Sequence, residues 1–395
     1  MQIQVPMDEV VEWRRRIHQH PELSFQETET SQPIAELLAS FGYEVERPTP
    51  TSVIGTLSHG SGPTVAWRAD IDALPLAEET GLPFASEVPG VMHACGHDAH
   101  AAMGLGAAKA IAERRDELQG TVKFVFQHAE EQNPGGAIQI METGALDGVD
   151  AIFGIHVMNQ RLGTLSICKG PASTSAGGAF ITIQGQGSHG SMPQNGIDPV
   201  LTAAQCTVAL NTMAGRSLDP SHMNIVNVGV IQAGEAPNVI PDTARIGVSL
   251  RTAIDEDYRT MVRRVEEIVN GTCAANGATA TFEWVDTYPV VVNDDELCDI
   301  AFEAASPVLP EGAVYWGPGT SASEDFSNYL SSMPGCFLFL GGGTEEDGLP
   351  FMNHHPKFDI VESCMEQGVQ AAVATLAAFL ERGASGGSNP EEAAR

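Results

Sequence analysis

Apolar positions recur at helical spacing through Val10, Val11, Trp13 and Ile17, and again through Ile34, Leu37, Leu38 and Phe41, with Gly42 placed to stop the second helix. Short β-branched runs follow at residues 53–57 and 64–67. After them the pattern predicts a helix over 101–112, a strand over 121–127, a helix over 137–141 and a strand over 151–157. Strands alternating with helices at this spacing argue for an α/β layer with a largely parallel sheet. From about Ser175 the order changes to strand 180–184, helix 199–214, strands 224–231 and 244–250, helix 257–276 and strand 279–284. That is β-α-β-β-α-β, the split unit of a ferredoxin-like domain, read here as an insertion into the first domain. Beyond Tyr288 the α/β pattern resumes with a helix over 296–308, a strand over 336–340 and a last helix over 361–380. The expected organisation is a catalytic domain formed by 1–175 and 289–382, an inserted domain over 176–288, and a disordered tail over 383–395 with nothing to bury.

The chain of 395 residues carries 51 acidic and 20 basic side chains, a formal charge of −31. Its four lysines, Lys109, Lys123, Lys169 and Lys357, are scattered, which excludes nucleic acid and an anionic membrane surface as partners. A hydrophobic fraction of 43% is enough for a large core in two or three domains. The seven cysteines are odd in number and widely spaced, so they do not form a disulfide framework and point to a reducing compartment. Residues 1–10 lack the features of a signal peptide, and no apolar run reaches the ~18 residues of a membrane span, so the expected location is the cytoplasm.

Four clusters carry candidate chemistry. HACGHDAH, residues 93–100, packs three histidines, a cysteine and an aspartate just before a helix, and Cys95 with His97 can reach one transition-metal ion from a tight turn or helix start. In FVFQHAEEQNPGG an apolar strand ends at Glu130 and Glu131, where the Pro-Gly-Gly turn lets both carboxylates enter one site beyond a strand's carboxyl end. His156 lies inside the apolar strand AIFGIHV, where a core role is the plainer reading. His354 and His355 share the loop FMNHHPKFD. Each cluster alone is ambiguous; together they sit at strand ends and loops of one layer, and five ligands suit two ions bridged by water.

The chain resembles the zinc-dependent aminoacylase and carboxypeptidase family of metallopeptidases, in the branch of hippurate hydrolase, N-acyl-amino-acid amidohydrolases and plant auxin-conjugate hydrolases. The matching segments are RRRIHQHPELSFQE (14–27), WRADIDALP (67–75), HACGHDAH, HAEE (128–131), GIHV (154–157), GQGSHGSMP (185–193), NVIPD (238–242), SEDF (323–326) and HHPKFD (354–359). The resemblance implies a site for two divalent transition-metal ions, zinc first with manganese, cobalt or nickel as alternatives, held by Cys95, His97, Glu131, His156 and His354. Glu130 would be the general base. His354 is chosen over His355 because the family's loop places the ligand two residues before the proline, here Pro356. Asp72 would support the site without ligating, and His18 and His20 would be structural.

By the same resemblance the inserted domain is a lid and dimerisation domain, making a homodimer or, through further contacts, a homotetramer. Its His189 would steady the oxyanion in the partner subunit's active site, and Asn238 and Arg251 would hold the substrate carboxylate; a surface ion pair is the plainer reading of Arg251. Gln194 departs from the second histidine common in relatives. The implied reaction is hydrolysis of an N-acyl-L-amino acid, of hippurate or N-acetyl type, to a carboxylate and a free amino acid. Water between two cations loses affinity for its proton, and Glu130 takes that proton and returns it to the leaving nitrogen. The alternatives are a dipeptidase or carboxypeptidase of the same family, a thiol hydrolase with Cys95 as nucleophile and His97 as base, and a non-catalytic metal-binding scaffold.

Overall fold

Residues 3–285 and 288–386 are described by the computed structural model. The chain divides into a first unit, Met1–Gly170 with Val292–Pro318 and Asp325–Arg395, and a second, Pro171–Val291 with Gly319–Glu324.

The first unit is built on the strands β1 (Glu44–Glu46), β2 (Val53–His59), β3 (Thr64–Asp70), β4 (Gly120–Gln127), β5 (Ala151–Met158), β6 (Leu165–Ile167), β7 (Val314–Trp316) and β8 (Gly335–Gly341). They form one sheet in the order β1-β2-β4-β3-β5-β8-β6-β7. The central run β4-β3-β5-β8 is parallel, as is the β6-β7 pair, whereas β1-β2, β2-β4 and β8-β6 are antiparallel. The sheet is therefore mainly parallel with an antiparallel margin. The helices are α1 (Met7–Gln19), α2 (Thr28–Ser40), α3 (His97–Glu113), α4 (Gly136–Glu142), α5 (Asp295–Ala305) and α6 (Cys364–Gly386).

Helix α3 is buried on nearly every side because it packs against the sheet, α1 and α6. Its Ala and Gly content follows from that crowding: a Cβ on Gly106 would lie 2.7 Å from a Val10 methyl, and one on Gly104 would lie 3.1 Å from the Phe126 ring. The helix starts at His97 and not near Ala101, so half of HACGHDAH forms its first turn. Helix α6 runs to Gly386, past the expected end at Leu380, because Gly383 lets it lie directly against Pro63. Of the tail expected over 383–395, residues 387–395 lie outside the described residues.

The second unit follows the β-α-β-β-α-β order, with Ser175–Gln184, Pro199–Asn211, Asn224–Ala233, Thr243–Thr252, Asp255–Asn276 and Thr279–Val285. Its four strands are antiparallel, with Thr243–Thr252 and Ser175–Gln184 inside and Asn224–Ala233 and Thr279–Val285 at the edges. Asp198 caps the first helix by accepting from Val200 N and Leu201 N, with Pro199 in the first turn. The long helix buries Met261, Val265, Val269 and Cys273, one residue per turn, against the sheet. The unit is wider than the 176–288 read from sequence. It takes in Pro171–Val291 and Gly319–Glu324, and its added residues bond to one another: Ala172 N donates to Val291 O (2.8 Å), Val291 N to Ser173 Oγ (3.0 Å) and Thr174 N to Ala322 O (2.9 Å).

Candidate metal centre

The parallel strands β3, β4 and β5 bring their carboxyl ends side by side, with Asp70 opposite Gln127 in register, and the chain leaves these ends into the candidate site. Cys95 and His97 flank Gly96, whose φ of 94° and lack of a Cβ are both required: a Cβ there would fall 2.3 Å from a Val157 methyl. His97 then opens α3. Glu130 and Glu131 follow β4, and His156 projects from β5.

The geometry gathers five predicted side chains. Cys95 Sγ lies 3.4 Å from His156 Nε2 and 3.3 Å from His354 Nε2. Glu131 Oε1 lies 3.1 Å from His354 Nε2 and 4.0 Å from His97 Nε2. Two overlapping ligand groups result, Cys95-His97-His156 and Cys95-Glu131-His354, with Cys95 common to both, and Glu130 groups with His97 and Glu131. His355 is elsewhere: its ring stacks on Phe351 at 4.1 Å, and its Nδ1 accepts from Lys357 N.

The supporting contacts fix the ring orientations. His97 Nδ1 faces the Asp72 carbonyl (2.9 Å) and Oδ1 (3.2 Å), and His156 Nδ1 faces the Val157 carbonyl (2.8 Å). Both rings thus donate from Nδ1 and leave the Nε2 lone pair for the site. Asp72 also accepts from Ser24 Oγ (2.7 Å) and Glu131 N (3.0 Å), the supporting place expected for it.

Sequence reasoning missed Asp70 and His100. Val157 N donates to His100 Nε2 (2.9 Å), so His100 carries its proton on Nδ1 and gives it to Asp70 (2.6 Å). Asp70 is also bound by Arg68 (2.6 Å), whose charge holds this carboxyl well below its usual range against the opposing effect of burial. The available signal was the i, i+3 spacing of His97 and His100 on one helix face.

Electrostatics favour a cation here. Burial disfavours a charged His97 ring, yet Asp70, Asp72 and Glu131 outweigh it and lift the ring to about 10. Burial pushes the Cys95 thiol well above its ordinary value, and the carboxylates of Glu131 and Glu130 add to the rise. Burial and the neighbouring His100 keep His156 neutral. The residues fit a transition-metal pair: His97 Nε2 is fully buried without a hydrogen-bond partner. The donor separations of 3.1–4.0 Å are also those of neighbouring ligands on ions with bonds of about 2.0–2.3 Å.

His18 is structural, as expected. Its Nδ1 meets Asp98 (2.8 Å), which Arg14 also binds (3.0 Å). Burial opposes protonation of His18, but Asp98 prevails and raises it to about 9. Because the folded value lies above the unfolded one, this stabilisation is fully present below about pH 6.5 and is lost as pH rises through about 9, up to roughly 3 kcal/mol. Thermal unfolding followed from pH 6.5 to 10 is therefore expected to show a falling Tm, with a flatter slope in His18→Asn. An unchanged slope in that variant would remove His18 as its source.

The second unit holds the other three predicted residues. His189 and Asn238 are both exposed and meet on a two-stranded ribbon, Ser188–His189 against Val239–Ile240, where Gly190 N donates to Asn238 O (2.8 Å). His189 Nδ1 accepts from Ser191 N (3.1 Å), so the neutral ring carries its proton on Nε2. Arg251 lies near the end of Thr243–Thr252, and its Nη1 donates to Ser321 O (3.3 Å).

The sequence pattern of peptidase family M20/M25/M40 matches residues 66–378. The chain belongs to this family. Thermostable carboxypeptidase 1 of Saccharolobus solfataricus is 38% identical to this M20/M25/M40 chain, over 92% of it and 93% of the relative. An N-acyl-L-amino acid amidohydrolase of Geobacillus stearothermophilus is 44% identical over 73% of this chain and 79% of its own. The crystal structure of Bacillus subtilis YXEP, described as a dinuclear metal binding peptidase from M20 family, superposes with a TM-score of 0.81 at 36% identity, over 95% of this chain and 98% of that one. Among the described residues of this family member no helix is long and apolar enough to cross a membrane, and none of the seven cysteines is in a disulfide.

Proposed function

We propose that the protein is a metal-dependent amidohydrolase that cleaves N-acyl-L-amino acids, of hippurate or N-acetyl type, to a carboxylate and a free amino acid. The observation that carries this reading is the convergence of Cys95, His97, Glu131, His156 and His354 on two overlapping ligand groups, with the buried carboxylate of Glu130 alongside. These five residues would hold two divalent ions. A thiolate among imidazoles and a carboxylate suits zinc best, with manganese, cobalt or nickel as alternatives, and disfavours magnesium and calcium. When bound, such ions lower the pKa of water and polarise an amide carbonyl.

Glu130 accepts the proton of the attacking water and delivers it to the leaving nitrogen, without which the amine leaves poorly. His189, with its proton on Nε2, is suited to donate to the developing oxyanion, a contribution of about 2.7–4 kcal/mol for a donor of this kind. Asn238 and Arg251 are assigned to the substrate carboxylate. The family resemblance supports a ferredoxin-like lid and dimerisation role for the second unit, a homodimer in which His189 serves the partner's site, and a homotetramer as the larger alternative. Seven cysteines outside any disulfide support a cytoplasmic location.

A dipeptidase or carboxypeptidase activity is the second reading, favoured by the name of the archaeal relative. A Cys95 nucleophile is disfavoured, because burial, with the surrounding carboxylates adding to it, raises its pKa where thiol catalysis needs it lowered.

Acetyl, benzoyl and dipeptide substrates, each with its C-terminal amide, separate these readings when assayed before and after chelation. The expected result is N-acyl hydrolysis that is abolished by chelation, restored by zinc, manganese or cobalt, and weaker for the amides. Activity that survives complete metal removal overturns the metal reading. Preference for dipeptides establishes the second one.

A further inference from the structure

Among the described residues, three that are not glycine hold a positive φ: Phe25 (67°), Ala129 (51°) and His354 (70°). Such a backbone is strained for a residue with a Cβ and persists only where its surroundings hold it. His354 is a candidate ligand. The other two share one anchor. Glu27 Oε1 accepts the N–H of Phe25 (3.0 Å) and, from 102 positions further along the chain, the N–H of Ala129 (2.8 Å).

Ala129 immediately precedes Glu130 and Glu131. Its carbonyl oxygen accepts from Gly136 N (3.0 Å), so the peptide groups on both sides of this residue are held. The same loop reaches the turn by a second route: Ser24 binds Asp72, which accepts from Glu131 N. Residues 24–27 therefore tether the Glu130-Glu131 turn at two points, and the Glu27 side chain that does so is fully buried.

We propose that Glu27 is a positioning residue for the hydrolytic reaction: its acceptor oxygen holds the Ala129 amide in the left-handed conformation and so sets the direction in which Glu130 leaves β4. The inference rests on Glu130 being the general base. Glu27 acts through Ala129 and requires an acceptor at the right reach, not a charge. Burial pushes its carboxyl up to about 7, and the oxygen accepts in either protonation state.

The test uses full-length enzyme at saturating manganese, with Glu27→Gln, Glu27→Asp and Glu27→Leu, and with Glu130→Gln as reference. Glu27→Gln, which keeps the acceptor in place, is expected to retain kcat within about threefold, while Glu27→Asp and Glu27→Leu lose about 30-fold or more in kcat with KM changed by less than about threefold. Hydrogen exchange over residues 128–136, measured before metal loading, is expected to quicken by about tenfold or more in the Asp and Leu variants and to stay at the wild-type rate in Gln. If Glu27→Leu does not fold, the Gln and Asp pair decides. Wild-type kcat and exchange in Glu27→Asp overturn the proposal, as does a Glu27→Gln variant as impaired as Asp. Loss of turnover in Glu130→Gln beside an unaffected Glu27→Asp overturns the role of Glu27 alone. Wild-type turnover in Glu130→Gln removes the base reading and the proposal with it.

Discussion

Glu130→Gln is expected to lower kcat by about 10²–10⁴-fold while leaving bound metal at the wild-type level. The substitution keeps the size and one acceptor oxygen of the side chain but removes the basicity that the proposed reaction would use twice, on the attacking water and on the leaving nitrogen. Glu130 is only 7% exposed, beside His97 and Glu131, so an isosteric change is needed to avoid opening a void among the ligands. Metal analysis and steady-state kinetics on the same preparation check the result. Wild-type turnover would transfer the base role to another group; loss of metal together with turnover would make Glu130 a ligand.

Cys95→Ala is expected to produce a different pattern. Because Cys95 belongs to both ligand groups, its removal weakens both ion positions together, and turnover is expected to fall by about 10³-fold or more in parallel with bound metal. Zinc or manganese titration followed by calorimetry, with turnover measured at each point, reads both quantities. A variant that binds two ions with wild-type affinity and has lost only its turnover would mark Cys95 as a nucleophile. The contrast between the two substitutions, activity lost with metal retained and activity lost with metal, separates base from ligand.

The longer elements were legible in the sequence because each buries a face that recurs at its own period. The long helix of the second unit is an example: Met261, Val265, Val269 and Cys273 announce it before any contact is known. Strands β1, β6 and β7 were not legible, since three residues cannot display a period; β1 is held by its neighbour β2, and β6 and β7 by partners far away in the chain. The order of strands, and with it the antiparallel margin of the sheet, likewise depends on tertiary pairing.

In the site, the candidate residues stood out by type and clustering. The choice between His354 and His355 rested on the family's loop pattern; in the structure the His354 ring meets Cys95 and Glu131, and the His355 ring stacks on Phe351. Asp70, His100 and Glu27 escaped notice because their roles reside in hydrogen bonds to backbone or to side chains distant in sequence, of which only the i, i+3 spacing of His97 and His100 left a local trace.

The spread of the donor atoms along the chain has a consequence for synthesis. Cys95 and His354 are 259 positions apart, so a nascent polypeptide displays the thiol and the first imidazole long before the loop bearing the last one leaves the ribosome. The full set of proposed ligands can therefore assemble only after the loop beyond β8 has been made. Two ions held by these five residues would consequently be captured late, after most of the chain has been made.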